Sequence, residues 1–131
     1  MSVERDAILT AQYVALTTYR RDGTPVVTPV WAAAEGDSLF IFSNPNAGKV
    51  KRVRNSSRAT VAPCTATGTI TGAALPAEAF LLSDDQMPKV WKLLVKKYGI
   101  AARLFVVYDA FRARFGKVRA AGIVVHLTSM Q

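Results

Sequence analysis

The stretch Thr24–Pro63, TPVVTPVWAAAEGDSLFIFSNPNAGKVKRVRNSSRATVAP, decides the fold. Two apolar runs, Val26–Ala34 and Ser38–Ser43, flank the turn Glu35-Gly36-Asp37. That pattern predicts antiparallel neighbours in a meander, not a βαβ unit. A corner, Ser43-Asn44-Pro45-Asn46, then leads into the basic segment Lys49-Val50-Lys51-Arg52-Val53-Arg54. Residues 47–55 read as a short helix with Val50 and Val53 toward the core and Lys49 and Arg52, three apart, on a neighbouring face. A helix N-terminus adds free N–H groups and a positive dipole end beside those cations. Positive charge is therefore gathered immediately after a buried strand.

Upstream, Tyr13–Tyr19 is rich in β-branched and aromatic residues and predicts a strand. Asp22-Gly23 is the best short hairpin signal, returning the chain into Val26–Ala34. Pro29 inside that run cannot donate to a ladder, so it belongs at an edge, bulge or strand end, or where a ligand ring meets the backbone. Before these, Ser2 can cap a helix whose apolar face is Val3, Ala7, Ile8 and Ala11. Downstream, Arg58–Pro63 and Gly68–Ala74 read as strands joined at Cys64-Thr-Ala-Thr, and Pro76–Ser83 as another. Ser83 or Asp84 caps a helix with Met87, Val90, Trp91, Leu94, Val95 and Tyr98 on one face, ended by Gly99. A second helix over Ala101–Arg114 places Leu104, Tyr108, Phe111 and Phe115 in register, and Ala121–Thr128 closes the chain as a strand. Six or seven short antiparallel strands with inserted helices give an α+β, mainly antiparallel β-barrel, a single domain over residues 1–131.

Composition bounds the function. Half of the 131 residues are hydrophobic and 20% are charged, the balance of a folded globular chain. No run of 18 apolar residues occurs, so no membrane span is expected. The N-terminal MSVERDAILTAQ lacks the apolar centre of a signal peptide, and the single cysteine, Cys64, excludes an internal disulfide. A cytoplasmic location is the expectation. The net charge of +8 attracts anionic partners. Lys49–Arg58 carries five cations and no acid, and Lys89–Arg119 carries nine against Asp109 alone. No aromatic residue interleaves with the cations of Lys49–Arg58, as base stacking would require, so nucleic acid is not the expected partner.

Side-chain catalysis finds little to work with. The one histidine, His126, lies in the terminal strand between Val125 and Leu127 and reads as structural; burial there argues against a haem ligand. Cys64 has no histidine near it in sequence, and Asp84-Asp85 reads as a helix cap. No catalytic side chain and no metal site are expected, and neither GxGxxG nor GxxxxGK[ST] occurs. Any hard chemistry must come from a bound cofactor, with the basic segment after Ser43 suited to a phosphate.

The order of these motifs, Thr24-Pro-Val-Val-Thr-Pro-Val-Trp31, Leu39-Phe-Ile-Phe-Ser43, Gly48-Lys-Val-Lys-Arg-Val-Arg-Asn55 and Arg58-Ala-Thr-Val61, resembles the pyridoxamine 5′-phosphate oxidase-like split-barrel family. Within that family it most resembles the actinobacterial branch that uses the deazaflavin coenzyme F-420. The resemblance covers Ala7 to about Leu82, while residues 84–115 match only in general character. It implies a homodimeric, FMN-binding-like split barrel with cofactor sites between subunits. It further implies that Thr28, Pro29, Val30 and Trp31 lie against the ring system, that Phe42, Ser43 and Asn44 border the cofactor, and that the segment starting at Lys49 holds its phosphate. FMN-using members begin that segment with an Arg-Lys pair; here Gly48-Lys49 stands instead. Lys51, Arg52 and Arg54 offer the wider basic surface that a phosphodiester with a glutamate tail would use. The implied activity is hydride transfer between a reduced deazaflavin and an unsaturated small-molecule acceptor, with Trp31, Trp91 and Tyr98 either lining the acceptor side or packed as core. The alternatives are an FMN-binding oxidoreductase of the same fold and a non-catalytic binder of a tetrapyrrole or flavin-like ligand.

Overall fold

The computed structural model describes residues 3–115 and 120–128. Strands β1 (Tyr13–Tyr19), β2 (Pro25–Val30), β3 (Ala33–Glu35), β4 (Ser38–Ser43), β5 (Arg58–Cys64), β6 (Leu75–Leu81) and β7 (Ala121–Leu127) form one sheet. Helices α1 (Val3–Thr10), α2 (Gly48–Asn55), α3 (Met87–Tyr98) and α4 (Ile100–Arg114) surround it. The strand order is β2-β1-β5-β6-β7-β4-β3, with every pairing antiparallel. Strands β2 and β3 stand at opposite edges, yet only Trp31 and Ala32 separate them. Three extended Cα–Cα steps reach about 10 Å, so the sheet must curl until its two edges meet at this dipeptide. The result is a split half-barrel.

Period-two alternation fills its interior. Val14 and Leu16 of β1, Ala59 and Val61 of β5, Ala77 and Ala79 of β6, Ile123 and Val125 of β7, and Leu39 and Ile41 of β4 form one core. Ile8 of α1 and Val50 and Val53 of α2 join the same core. A second layer lies on the outer face, where Ala33, Phe40 and Val124 meet Met87, Val90 and Leu94 of α3 and Ala102 of α4. Ser83 and Gln86 form a capping box ahead of α3, and Gly99, at φ 68°, ends it.

Several expectations change on folding. The run Val26–Ala34 is not one strand: it breaks at Trp31-Ala32, where the chain crosses from one sheet edge to the other. Pro25 and Pro29 both lie in the edge strand β2, which tolerates their missing donors. Gly68–Ala74 is not a strand but a loop touching β5 through a single bridge, Cys64–Ile70. Its glycines serve close approach instead: a Cβ on Gly72 would lie 2.6 Å from Cγ of Pro63. In α1, Ile8 is buried while Val3 and Ala7 are exposed; Ser2 lies outside the described residues.

Helix α4 differs most. Leu104, Tyr108, Phe111 and Phe115, read as the packing face, are 57–66% exposed, and the buried residues are Ala102 and Asp109. The Asp109 carboxylate accepts the backbone N–H of Ala120 at 2.8 Å, so a polar group holds the inward face. His126 is exposed, not buried, with Nδ1 2.7 Å from the Ser38 hydroxyl.

Candidate functional site

The junction between the sheet edges is held by the end of α3. Lys97 Nζ donates to the carbonyls of Ala11 at 2.7 Å and Ala32 at 2.6 Å. The Tyr98 hydroxyl accepts the Ala32 N–H at 3.0 Å and donates to the Gln12 carbonyl at 2.9 Å, with the Ala32 carbonyl at 3.1 Å. The crossing backbone, which no ladder satisfies, thus finds its partners in two side chains. Burial pushes the Tyr98 phenol up to about 12, against the opposing hydrogen bond from Ala32. Burial also lowers the Lys97 ammonium from its ordinary value.

Fixed backbone fixes Trp31. Its ring stacks on Tyr98 at 4.4 Å and 7° and meets Phe105 of α4 edge-on at 5.5 Å. Phe42 at the end of β4 lies 6.5 Å from Trp31, 5.0 Å from Trp91 and 5.2 Å from Phe105. These rings are partly open to solvent. Beside them is a cavity of about 160 Å³ lined by Phe42, Ser43, Asn44, Trp91, Tyr108 and Arg112, among others.

The corner beyond β4 carries this wall to α2. The Asn44 side chain accepts the N–H of Asn46 at 2.9 Å, turning the chain into the helix. Lys49 is half-buried, not exposed as expected of a surface lysine, and burial followed by repulsion from Arg52 lowers its ammonium below the usual range. Arg52 donates Nε to Oγ1 of Thr18, a hydroxyl buried on β1, at 2.6 Å. Burial, then nearby Arg20, lowers Arg52 as well. Lys51 and Arg54 point to solvent. Further along, a cavity of about 330 Å³ is lined by Tyr19, Arg20, Arg21, Gly23, Asn55, Ser56 and Arg58, with the Arg58 guanidinium 3.9 Å over the Tyr19 ring.

Among the described residues the ion pairs are Arg5–Asp37 and Lys89–Glu35, so no carboxylate comes within 4.0 Å of Arg20, Arg21, Lys49, Lys51, Arg52, Arg54 or Arg58. Close cations without carboxylate partners repel one another, and an anion between them would relieve that cost. The residues present therefore fit the phosphate end of a cofactor.

The structure brings Trp31, Phe42, Ser43 and Asn44 into one wall, and Lys49 and Arg52 onto the adjoining helix. Thr28 is half-buried, Pro29 exposed and Val30 buried in the barrel core, leaving that part of β2 to act through its edge backbone. Phe105, Tyr108 and Arg112 were missed because α4 carries apolar residues on both faces, so its periodicity does not say which packs. Arg20 and Arg21 were legible only as the approach to a hairpin. His126 stands apart: it registers with Ser38, while Phe42 registers with Gly122, about 13 Å along the strand. No helix among the described residues is long and apolar enough to cross a membrane, and no group of three or more His, Cys, Asp or Glu there is placed to hold a metal.

Comparison with known proteins places the fold. No curated protein matches the chain in sequence. Among solved structures, Atu2129 from Agrobacterium tumefaciens, of unknown function, is similar at a TM-score of 0.67 and 17% identity, covering 98% of this chain and 53% of that one. This chain thus spans about half the length of that relative. A protein described as an F420 reductase is similar at a TM-score of 0.58 and 16% identity, covering 98% and 96%. The haem storage protein HutZ from Vibrio cholerae is similar at a TM-score of 0.67 and 9% identity, covering 95% and 87%. At such identities these likenesses show the fold alone. The model of the pyridoxamine 5′-phosphate oxidase family matches residues 3–126, nearly the whole chain, and the protein belongs to that family.

Proposed function

We propose that the protein is an F-420-dependent reductase of the reducing cytoplasm, working as a two-fold homodimer. The observation that carries this reading is the continuity between the aromatic wall at Trp31 and Phe42 and the carboxylate-free cations of α2. Leu16 registers with Thr28, and Thr18, which holds Arg52, lies two residues further along β1. The cations therefore begin about 7 Å along the strand from the backbone assigned to the ring, the reach of a short polyol chain. Bound deazaflavin would supply hydride chemistry. The chain's own residues orient it: the edge backbone of Thr28–Trp31 meets the ring, Phe42, Ser43 and Asn44 border it, and Lys49 with Arg52 neutralises the phosphate. Lys51, Arg54, Arg20 and Arg21 face the acidic tail. Trp31, Trp91 and Phe105 exclude water from the acceptor side.

A cavity of about 160 Å³ takes only part of such a ring system, which supports a second wall from a partner subunit. The direct test titrates the apoprotein separately with F-420 and with FMN, following fluorescence. Saturable binding of F-420 at least tenfold tighter than FMN supports the reading. Tighter FMN, with a yellow protein, assigns the site to a flavin oxidoreductase; binding of neither removes the proposal.

A further inference from the structure

We infer that α4 is a docking element for the surface of an anionic lipid bilayer, independently of the cofactor reading. Its outward face is a single stripe: Ile100, Leu104, Val107, Tyr108, Phe111 and Phe115 are each 57–78% exposed. At 100° per residue these positions fall within about 100° of arc, directly opposite the buried Ala102 and Asp109. The fifteen-residue helix gives the stripe a length of about 22 Å. Phe111 and Phe115 touch at 4.9 Å, so the stripe is densest near its C-terminal end.

Charge selects the occupant. Arg103 and Arg114 lie along one margin, and Arg112, 5.8 Å over the Tyr108 ring, lies along the other. The only acid on the helix, Asp109, faces inward onto Ala120. A second copy packed on this face about a two-fold axis near Tyr108 would set Arg103 of one helix beside Arg112 and Arg114 of the other, like against like. A partner of opposite charge with an apolar interior avoids that. A convex ridge also suits lipid, which needs no matching groove, better than a folded acidic protein. An amphipathic helix with Phe and Leu on its face and arginine at its margins lies in the headgroup plane in this way. The exposed Lys92 and Lys96 on neighbouring α3 add to the attraction for anionic headgroups.

Co-sedimentation of the full chain with phosphatidylcholine vesicles, with and without 30% phosphatidylglycerol, tests this. Binding is expected to anionic vesicles, at least tenfold weaker to neutral ones, and reduced severalfold by 0.5 M salt. Phe111→Ser/Phe115→Ser should reduce binding at least tenfold with an unchanged melting temperature, since both side chains are exposed. Arg103→Gln/Arg114→Gln should reduce it severalfold and flatten the salt dependence. No binding to anionic vesicles overturns the inference, as does binding indifferent to the serine pair. It is equally overturned if wild type is dimeric and the serine pair monomeric by sedimentation velocity, which would make the stripe an interface between copies.

Discussion

Replacing Tyr98 by Phe removes one oxygen and isolates the clamp on which the split barrel depends. The ring, and with it the 4.4 Å stack on Trp31, is retained. What is lost is the acceptor for the Ala32 N–H and the donor to the Gln12 carbonyl. Ala32 is 0% exposed, so its N–H is left buried without that partner. An orphaned buried donor costs about 1–3 kcal/mol. For a chain of this size each kcal/mol is worth about 3–5 °C, so melting should fall by about 3–15 °C. The phenol also has an alkaline signature. Its pKa is raised from 10.0 to about 12 in the fold, so folding favours the protonated form. That contribution is complete below pH 10 and is lost as pH rises through 12. Allowing for partial solvent screening, it amounts to at most about 2 kcal/mol. Lys97, lowered from 10.5 by burial, acts with the opposite sign: its charged form is penalised in the fold, and the penalty is relieved as pH rises toward 10.5. Comparing wild type with Tyr98→Phe cancels the lysine. Urea unfolding at pH 8, 10, 11 and 12 should show the two proteins converging as pH rises. A variant melting within about 1 °C of wild type, or a gap constant with pH, would refute the clamp.

Other outcomes follow from the same geometry. Lys49→Ala should weaken F-420 binding by about 1–3 kcal/mol, measured by fluorescence titration, since it removes a charge-assisted contact; unchanged affinity would move the phosphate elsewhere. Thr18→Val should release Arg52 from its 2.6 Å tether and weaken F-420 binding at least severalfold, while denaturant unfolding reports a loss of about 1 kcal/mol. Leu94→Ala, at a fully buried position between α3 and the outer face of the sheet, should cost about 2–5 kcal/mol in urea unfolding. Gly72→Ala should cost about 1–3 kcal/mol by the same measurement, because its Cβ would meet the Pro63 ring, which cannot rotate away.

The sequence by itself determined the meander and its turns. Alternation in Tyr13–Tyr19 and Ser38–Ser43, with Asp22-Gly23 and Gly36 at positive φ, is local chemistry, and those strands form where it says. Val50 and Val53 likewise pointed α2 inward because only two residues of that helix are apolar. Tertiary structure alone decided where the chain crosses from edge to edge. Nothing in Val26–Ala34 marks Trp31-Ala32 as the break, because the reason lies 65 residues away, in Lys97 and Tyr98. It also decided which face of α4 is buried: with apolar residues all round, the choice fell to Asp109 and its bond to Ala120. The wall of the candidate site had the same fate. Phe42 and Trp31 were readable as strand residues, but their meeting with Trp91 and Phe105 depends on how the outer layer packs, and packing is a property of distant pairs that no local period encodes.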